Sequence, residues 1–458
     1  VNEQMAFKSI YDRKTYFILI AFSLFVSGCQ SIPNTIDKTG VIQTIFNYDT
    51  QLATKTEEDI HQSESKLVKQ LILNESDAVM LALNNNATFN ALLADLKISK
   101  ADLENAGLLP NPELLFAFGV TNKPYRYAID LPIEALWLRP IRLRTMKHEA
   151  DAVAYRLMQA GLNLIKNVRV GYAQAVLAQE QLKVAQSSYQ LRNSIYNLSL
   201  KRLEAGDING KDILLAKNDA AIAKRDMELA EYDVKIKMQN LLYLLGKGFD
   251  LQDISLYPNL TPACTAGDVK QLMSQALMHR PDIISAEYSI NAAKEKIKLS
   301  KVGWLKFTGS ADATSGQVNG HTLGPAFRST LPIANQNQGA ISRAEAELEK
   351  AELTLQDLKQ QALLEIKSSH LQYQQTCHDW HVLQNILIPT AQEILHRTEQ
   401  AYQKGDISYL QTLEASRQIV DTQMREVQLK ADLIAKYAEL MRSSASVSAD
   451  KSEKQING

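Results

Sequence analysis

Between residues 113 and 133, apolar positions alternate with polar or small ones. Leu114, Phe116, Phe118 and Val120 share one side of an extended run, and Tyr127, Ile129, Leu131 and Ile133 share one side of the next. A period of two predicts two strands, joined by a turn at Asn122-Lys123-Pro124. The pattern returns late in the chain, over residues 306–314 and 322–332. There Phe307 faces with small residues, and Leu323, Pro325, Phe327, Ser329 and Leu331 share a side around a turn at 316–320.

A helical period governs most of the remainder. Residues 140–203 carry Ala150, Ala154, Leu157, Gly161, Leu164, Val168, Gly171, Ala175, Ala178, Leu182, Ala185, Tyr189, Arg192, Tyr196, Ser199 and Leu203 at alternating steps of four and three. That is coiled-coil spacing, and its small residues let helices approach closely. The predicted helix is about 96 Å long at 1.5 Å per residue, with Pro140 as its first residue. A second long helix is predicted over 337–404, opening with Ile341, Ala344, Leu348, Ala351, Leu355, Leu358 and Ala362. Pro389 lies inside it and is expected to bend it or shift its register. Shorter helices over 75–108 and 268–302 precede the hairpins. Return helices over 211–245 and 408–442 follow the long ones.

The chain therefore reads as one layout written twice. Leu131-Pro132-Ile133 recurs 200 residues on as Leu331-Pro332-Ile333, and Gly206-Asp207-Ile208 recurs 199 on as Gly405-Asp406-Ile407. A looser match between residues 82–89 and 276–283 has an offset of 194. The period far exceeds that of solenoid repeats. The units expected are a first copy over 75–250, a linker over 251–267, a second copy over 268–445 and a polar tail over 446–458.

The first residues read as an address. Lys8, Arg13 and Lys14 precede an 11-residue apolar run over 16–26, too short to cross a bilayer as a helix but right for an export signal. Val26-Ser27-Gly28-Cys29 has the form of a lipoprotein cleavage site. The expectation is a signal peptide over 1–28, then a lead over 29–74 that begins with a lipidated Cys29 and is polar, and extended or irregular, over 30–70. No later stretch offers 18 consecutive apolar residues, so any spanning of a membrane must use a closed β-barrel.

Charge and composition narrow the function. Lys plus Arg number 50 against 51 Asp plus Glu, a net charge of −1. That gives no basic footprint for nucleic acid. There is no phosphate-binding glycine loop, no His-Glu-x-x-His and no nucleophile elbow. An enzyme is not expected, and no cofactor is implied. His370, Cys377 and His381 share a helix face, a spacing that can hold a soft metal. Packed core and surface positions account for it better, so no metal site is assigned. Cys264 and Cys377 are left as free or paired.

Four strands of 8 to 11 residues cannot close a barrel with a lumen, but three chains would supply twelve strands. The runs Ala106-Gly107-Leu108-Leu109-Pro110-Asn111-Pro112-Glu113-Leu114 and Lys201-Arg202-Leu203-Glu204-Ala205-Gly206-Asp207-Ile208, with Ala401-Tyr402-Gln403-Lys404-Gly405-Asp406-Ile407-Ser408 in the second copy, resemble the TolC family of outer membrane efflux factors. The likeness covers about residues 70–445. The basic stretch Trp137-Leu138-Arg139-Pro140-Ile141-Arg142-Leu143-Arg144 departs from the family's usual glycine-rich entry.

The resemblance implies a mainly α protein with a small β part. As a homotrimer it would form an α-helical tunnel topped by a 12-stranded transmembrane barrel. It implies an outer-membrane exit duct that conducts passively for a periplasmic adaptor and an inner-membrane pump. It also implies contact with outer-membrane lipid. The turns then fall at the periplasmic tip. Arg202, Gly206, Asp207, Ile208, Tyr402, Gly405, Asp406 and Ile407 become the residues expected at the adaptor contact or tunnel tip, with Asp207 and Asp406 as either helix caps or an entrance ring of carboxylates. The alternative is a lipid-anchored coiled-coil adaptor or scaffold that never crosses the membrane, which has no need of paired bilayer-length strands.

Overall fold

The computed structural model describes residues 40–41, 44–45, 71–120, 123–206, 208–246, 254–257, 264, 267–316, 320–331, 333–404 and 406–445. The signal segment, Cys29, Asp207, Gly405 and the tail over 446–458 lie outside the described residues.

In chain order the elements are β1 (Leu71–Leu73), α1 (Glu75–Asn85), α2 (Ala87–Gly107), β2 (Glu113–Val120), β3 (Lys123–Pro132), α3 (Ala135–Glu204), α4 (Gly210–Leu245) and β4 (Ile254–Leu256). The second half follows as α5 (Val269–His279), α6 (Pro281–Val302), β5 (Phe307–Gly316), β6 (Gly320–Ser329), α7 (Gln338–Val382), α8 (Ile388–Lys404) and α9 (Tyr409–Ser444). A π-helical turn at Leu383–Leu387 joins α7 to α8.

Both entering helices, expected as continuous, are broken. Asn86 (φ −61°, ψ 121°) and Arg280 (φ −63°, ψ 124°) are extended residues between helices. They lie 194 positions apart, the offset already visible in the sequence, so the duplication extends to the backbone angles. The chemistry differs. The Asn86 side chain accepts from Phe89 N–H at 3.0 Å and donates to the Leu244 carbonyl at 3.0 Å. At Arg280 the break is imposed by Pro281, which disfavours the helical region for the residue before it and suits the first helical turn.

Pro140 does not open the long helix, which starts at Ala135 and carries Pro140 inside. The turn out of β3 is too short to wait for the proline. Ala135 and Leu138 are buried at once, and packing outweighs the hydrogen bond that Pro140 cannot make. The helix has 70 residues, about 105 Å. Its seam is buried at Ala150, Ala154, Leu157, Gly161, Leu164, Val168, Ala175 and Ala178, where α3 packs on α1, α2, α4, α6 and α9. At Gly161 an added Cβ would lie 2.4 Å from Ile45 Cδ1, so Ile45 would have to shift to admit one. That contact corrects the reading of the lead as irregular. Gly40, Val41, Thr44 and Ile45 are helical, and Val41 and Ile45 are fully buried in the first core with Phe89, Met158 and Tyr172.

Pro389 acts through register. A proline clashes with the carbonyl four residues back. The five-residue turn ahead of it moves the hydrogen bonding out of phase, with Ile388 N–H reaching the Leu383 carbonyl. The carbonyl of Ile386 is taken by Thr390 Oγ1 at 2.7 Å.

Candidate functional site

Two regions remain once packing is accounted for: a sheet at one end of α3 and a cluster of helix ends at the other. The sheet has the order β2-β3-β5-β6, all antiparallel, so β2 and β6 carry open edges. Register sets its faces. Leu114 opposes Ile129, Phe116 opposes Tyr127 and Phe118 opposes Tyr125. Across β5 and β6, Gly309 opposes Phe327. One face is therefore apolar and bare: Leu114 is 71% exposed and Phe118 70%.

The other face is charged and internally paired. Arg126 Nη2 lies 2.5 Å from Asp312 Oδ2 across β3 and β5. Asp130 accepts from Ser310 Oγ and sits 3.6 Å from Arg328 Nη1. These four charges escaped the sequence reading, which followed only the apolar half of the alternation. The same period of two, applied to the intervening residues, carries them. Below the sheet, Trp137 stacks edge-on against Phe307 at 5.5 Å, and Phe307 lies 5.7 Å from Phe327, an aromatic band at the junction.

At the far end, α3 ends in Gly206 with φ +84°, a left-handed cap only glycine adopts without strain. The return helices have their own caps. Asn209 Oδ1 accepts from Lys211 N–H at 2.9 Å and Asp212 N–H at 3.1 Å, and Ser408 and Gln411 form a capping box on α9. Asp406 is exposed and is not the cap.

The two copies meet here. Tyr402 is 3% exposed and packs with Ile195, Ala216, Leu413 and Ile407. Arg202 Cζ lies 5.0 Å from the centre of the Tyr402 ring. Further up, Arg417 Nη2 on α9 reaches Asp219 Oδ1 on α4 at 3.1 Å, with Asp219 buried. The structure thus brings Arg202, Tyr402 and Ile407 together. Ile208 is half-buried nearby in sequence, and Gly206 and Asp406 stand exposed at the turns.

Midway along the helices, Arg280 is 2% exposed. It holds Asp282 Oδ2 at 2.6 Å and Glu365 Oε2 at 2.9 Å. Burial pulls its guanidinium down, but the two carboxylates outweigh that and hold it above its ordinary value. Glu365 also meets Arg442 at 3.0 Å, and Arg442 meets Glu439, which reaches Lys166 on α3 at 3.3 Å. The chain of charges ties the second copy to the first.

His370, Cys377 and His381 do not converge. His370 Nε2 lies 3.1 Å from the Gly267 carbonyl oxygen, Cys377 is buried and His381 is exposed. Among the described residues, no three His, Cys, Asp or Glu side chains gather as a metal site. No described helix is long and apolar enough to cross a membrane.

The chain matches the outer membrane efflux protein family over residues 80–247 and 272–446, and it belongs to that family. It is 25% identical over 396 residues to the probable outer membrane lipoprotein SilC of Salmonella typhimurium, covering 78% of this chain and 80% of that one. It is 27% identical over 278 residues to the cation efflux system protein CusC of Escherichia coli K12, covering 57% of this chain and 59% of CusC. A crystal structure of CusC shares the fold, with a TM-score of 0.69 at 17% identity over 82% of this chain and 92% of that one. The protein is thus an efflux channel of the outer membrane that reaches into the periplasm, and the reading as a non-spanning scaffold is set aside.

Proposed function

We propose that three copies close into a twelve-stranded barrel continued by a helical tunnel, forming the passive exit duct of a tripartite efflux pump. The single observation that carries this is the β2-β3-β5-β6 sheet, with an apolar face, a charged face and two open edges. In lipid, open edges leave backbone groups without partners, at a cost of several kcal/mol each. Pairing β6 of one copy with β2 of the next removes every edge. The apolar face then meets lipid, and Arg126, Asp130, Asp312 and Arg328 line the lumen.

The helices support the same assembly. On α4, Leu229, Tyr232, Ile236 and Tyr243 form an exposed apolar stripe. Leu353, Leu364 and Leu371 form another on α7. Each is a seam for the neighbouring copy. Cys29 carries the lipid that anchors the mature chain. The tip residues Arg202, Gly206, Asp207, Ile208, Gly405, Asp406 and Ile407 receive the periplasmic adaptor. Buried Tyr402 holds the two copies' tips together behind them. Asp207 and Asp406 contribute six carboxylates per trimer and favour cations at the entrance. The pump selects the cargo.

The test is stoichiometry and conduction. Purified protein is expected to run as a trimer in detergent and to give discrete conductance steps in planar bilayers. Leu229→Asp combined with Ile236→Asp is expected to yield monomers. A wild-type protein that stays monomeric while fully folded overturns the reading.

A further inference from the structure

The described part of the linker between the two copies runs along α7 at two points. Gly267 O meets His370 Nε2 at 3.1 Å, and three residues earlier Cys264 packs into the apolar cluster that contains Cys377. Seven helical residues from His370 to Cys377 rise about 10.5 Å, and the two contacts meet α7 in the order opposite to its own chain direction. Cys264 packs against the cluster that contains Cys377, and both cysteines are free thiols in the structure. Leu272, Ile366, Tyr373, Leu433 and Leu440 belong to the same cluster.

We propose that Cys264 and Cys377 form a disulfide in the cell envelope, stapling the linker between the copies to the second long helix. The inference rests on the outer-membrane placement, since export passes through an oxidising compartment. The two positions are 113 apart in the chain, so the bond closes a long loop, the case in which a crosslink restricts the unfolded chain most.

The two thiols are unequal, and this sets the order of reaction. Cys264 is partly exposed and Cys377 buried. Burial, followed by the nearness of Cys264, pushes the Cys377 thiol up, and Cys264 is the thiol that an oxidant in solvent reaches first. The oxidant is a dithiol–disulfide exchange protein or a small-molecule disulfide. The Cys264 thiolate attacks one sulfur of that disulfide, forms a mixed disulfide and expels the other sulfur as a thiolate. Cys377 then loses its proton and attacks the Cys264 sulfur, expelling the oxidant's second sulfur. The two cysteines give up two electrons and two protons, and the oxidant ends as two thiols.

The experiment is tryptic mapping of the full chain, extracted from envelopes under acid quench and alkylation. The linked peptides are residues 248–270 and 368–397, expected joined before reduction and separate after it. In parallel, purified reduced protein treated with oxidised glutathione is expected to give the same linked pair and to melt about 2–4 °C higher. Cys264→Ser should melt like the reduced protein and give no linked pair. Thiols that remain alkylatable after glutathione treatment, whether free or holding a soft cation, overturn the proposal. Thiols that oxidise in buffer but arrive reduced from the envelope overturn it too. Neither result touches the channel reading, which stands or falls on conductance.

Discussion

Tyr402 of the second copy places its hydroxyl 3.1 Å from Ser199 Oγ of the first, inside the helical tip. Ser199 already donates to the Ile195 carbonyl at 2.9 Å, so Tyr402 is the donor. One phenol therefore joins two helix ends 203 residues apart, and the Arg202 guanidinium covers its ring.

Tyr402→Phe keeps the ring and loses the donor. Because Ser199 retains its own acceptor, the expected loss is about 1 kcal/mol, read by chemical unfolding. Tyr402→Ala also removes the ring beneath Arg202. It is expected to cost about 3 kcal/mol and to loosen the tip, raising single-channel conductance. An unchanged conductance in the alanine variant removes Tyr402 from control of the opening.

Gly206→Ala tests the left-handed cap alone. No atom lies within 4 Å of the position its Cβ would take. The penalty is backbone strain of about 1–2 kcal/mol, with no steric part. Melting should drop accordingly. Gly210→Ala, inside the first turn of α4 and equally open, should not destabilise.

Arg280→Ala takes the buried guanidinium from Asp282 and leaves Glu365 with Arg442 alone, at an expected cost of about 3 kcal/mol. The same network gives a pH dependence. Burial alone would raise Glu439, but hydrogen bonds and charge from Arg442, with Lys166, outweigh it and hold Glu439 below its ordinary value of 4.5. A carboxylate depressed in the fold stabilises above its unfolded value and loses that contribution as pH falls through the folded one. Melting temperature should be flat from pH 7 to about 5 and decline below 4.5. In Glu439→Gln the decline should be shallower, with about 1 kcal/mol already missing at pH 7.

Asp312→Asn leaves Arg126 without its carboxylate on the charged face of the sheet. In a trimeric barrel that adds three positive charges to the lumen, and Arg126→Gln does the opposite. Reversal potentials in a salt gradient should move towards anion preference in the first variant and cation preference in the second. If neither moves, this face does not line the path of ions.

Much of this protein is local and therefore legible in the sequence. Strand alternation found β2 at its observed bounds, because side-chain direction along a strand depends on the pleat alone. The heptad seam of α3 and the turn at Gly206 follow from rules that act within a few residues. The duplication showed itself through matching landmarks, and its 194-residue offset reappears as paired backbone breaks at Asn86 and Arg280. The breaks themselves were missed. Asn86 is held by a carbonyl 158 positions away, and periodicity carries no trace of such a partner. Pro140 misled for the same reason: its local preference lost to the burial of Ala135 and Leu138.

Sequence alone therefore determined the element types, the twofold layout and the family. Only the tertiary structure decided which polar groups face one another. It set Arg126 against Asp312 and Tyr402 against Ser199. Such pairings depend on strand register and helix rotation, which are fixed by packing the whole chain rather than by any stretch of it.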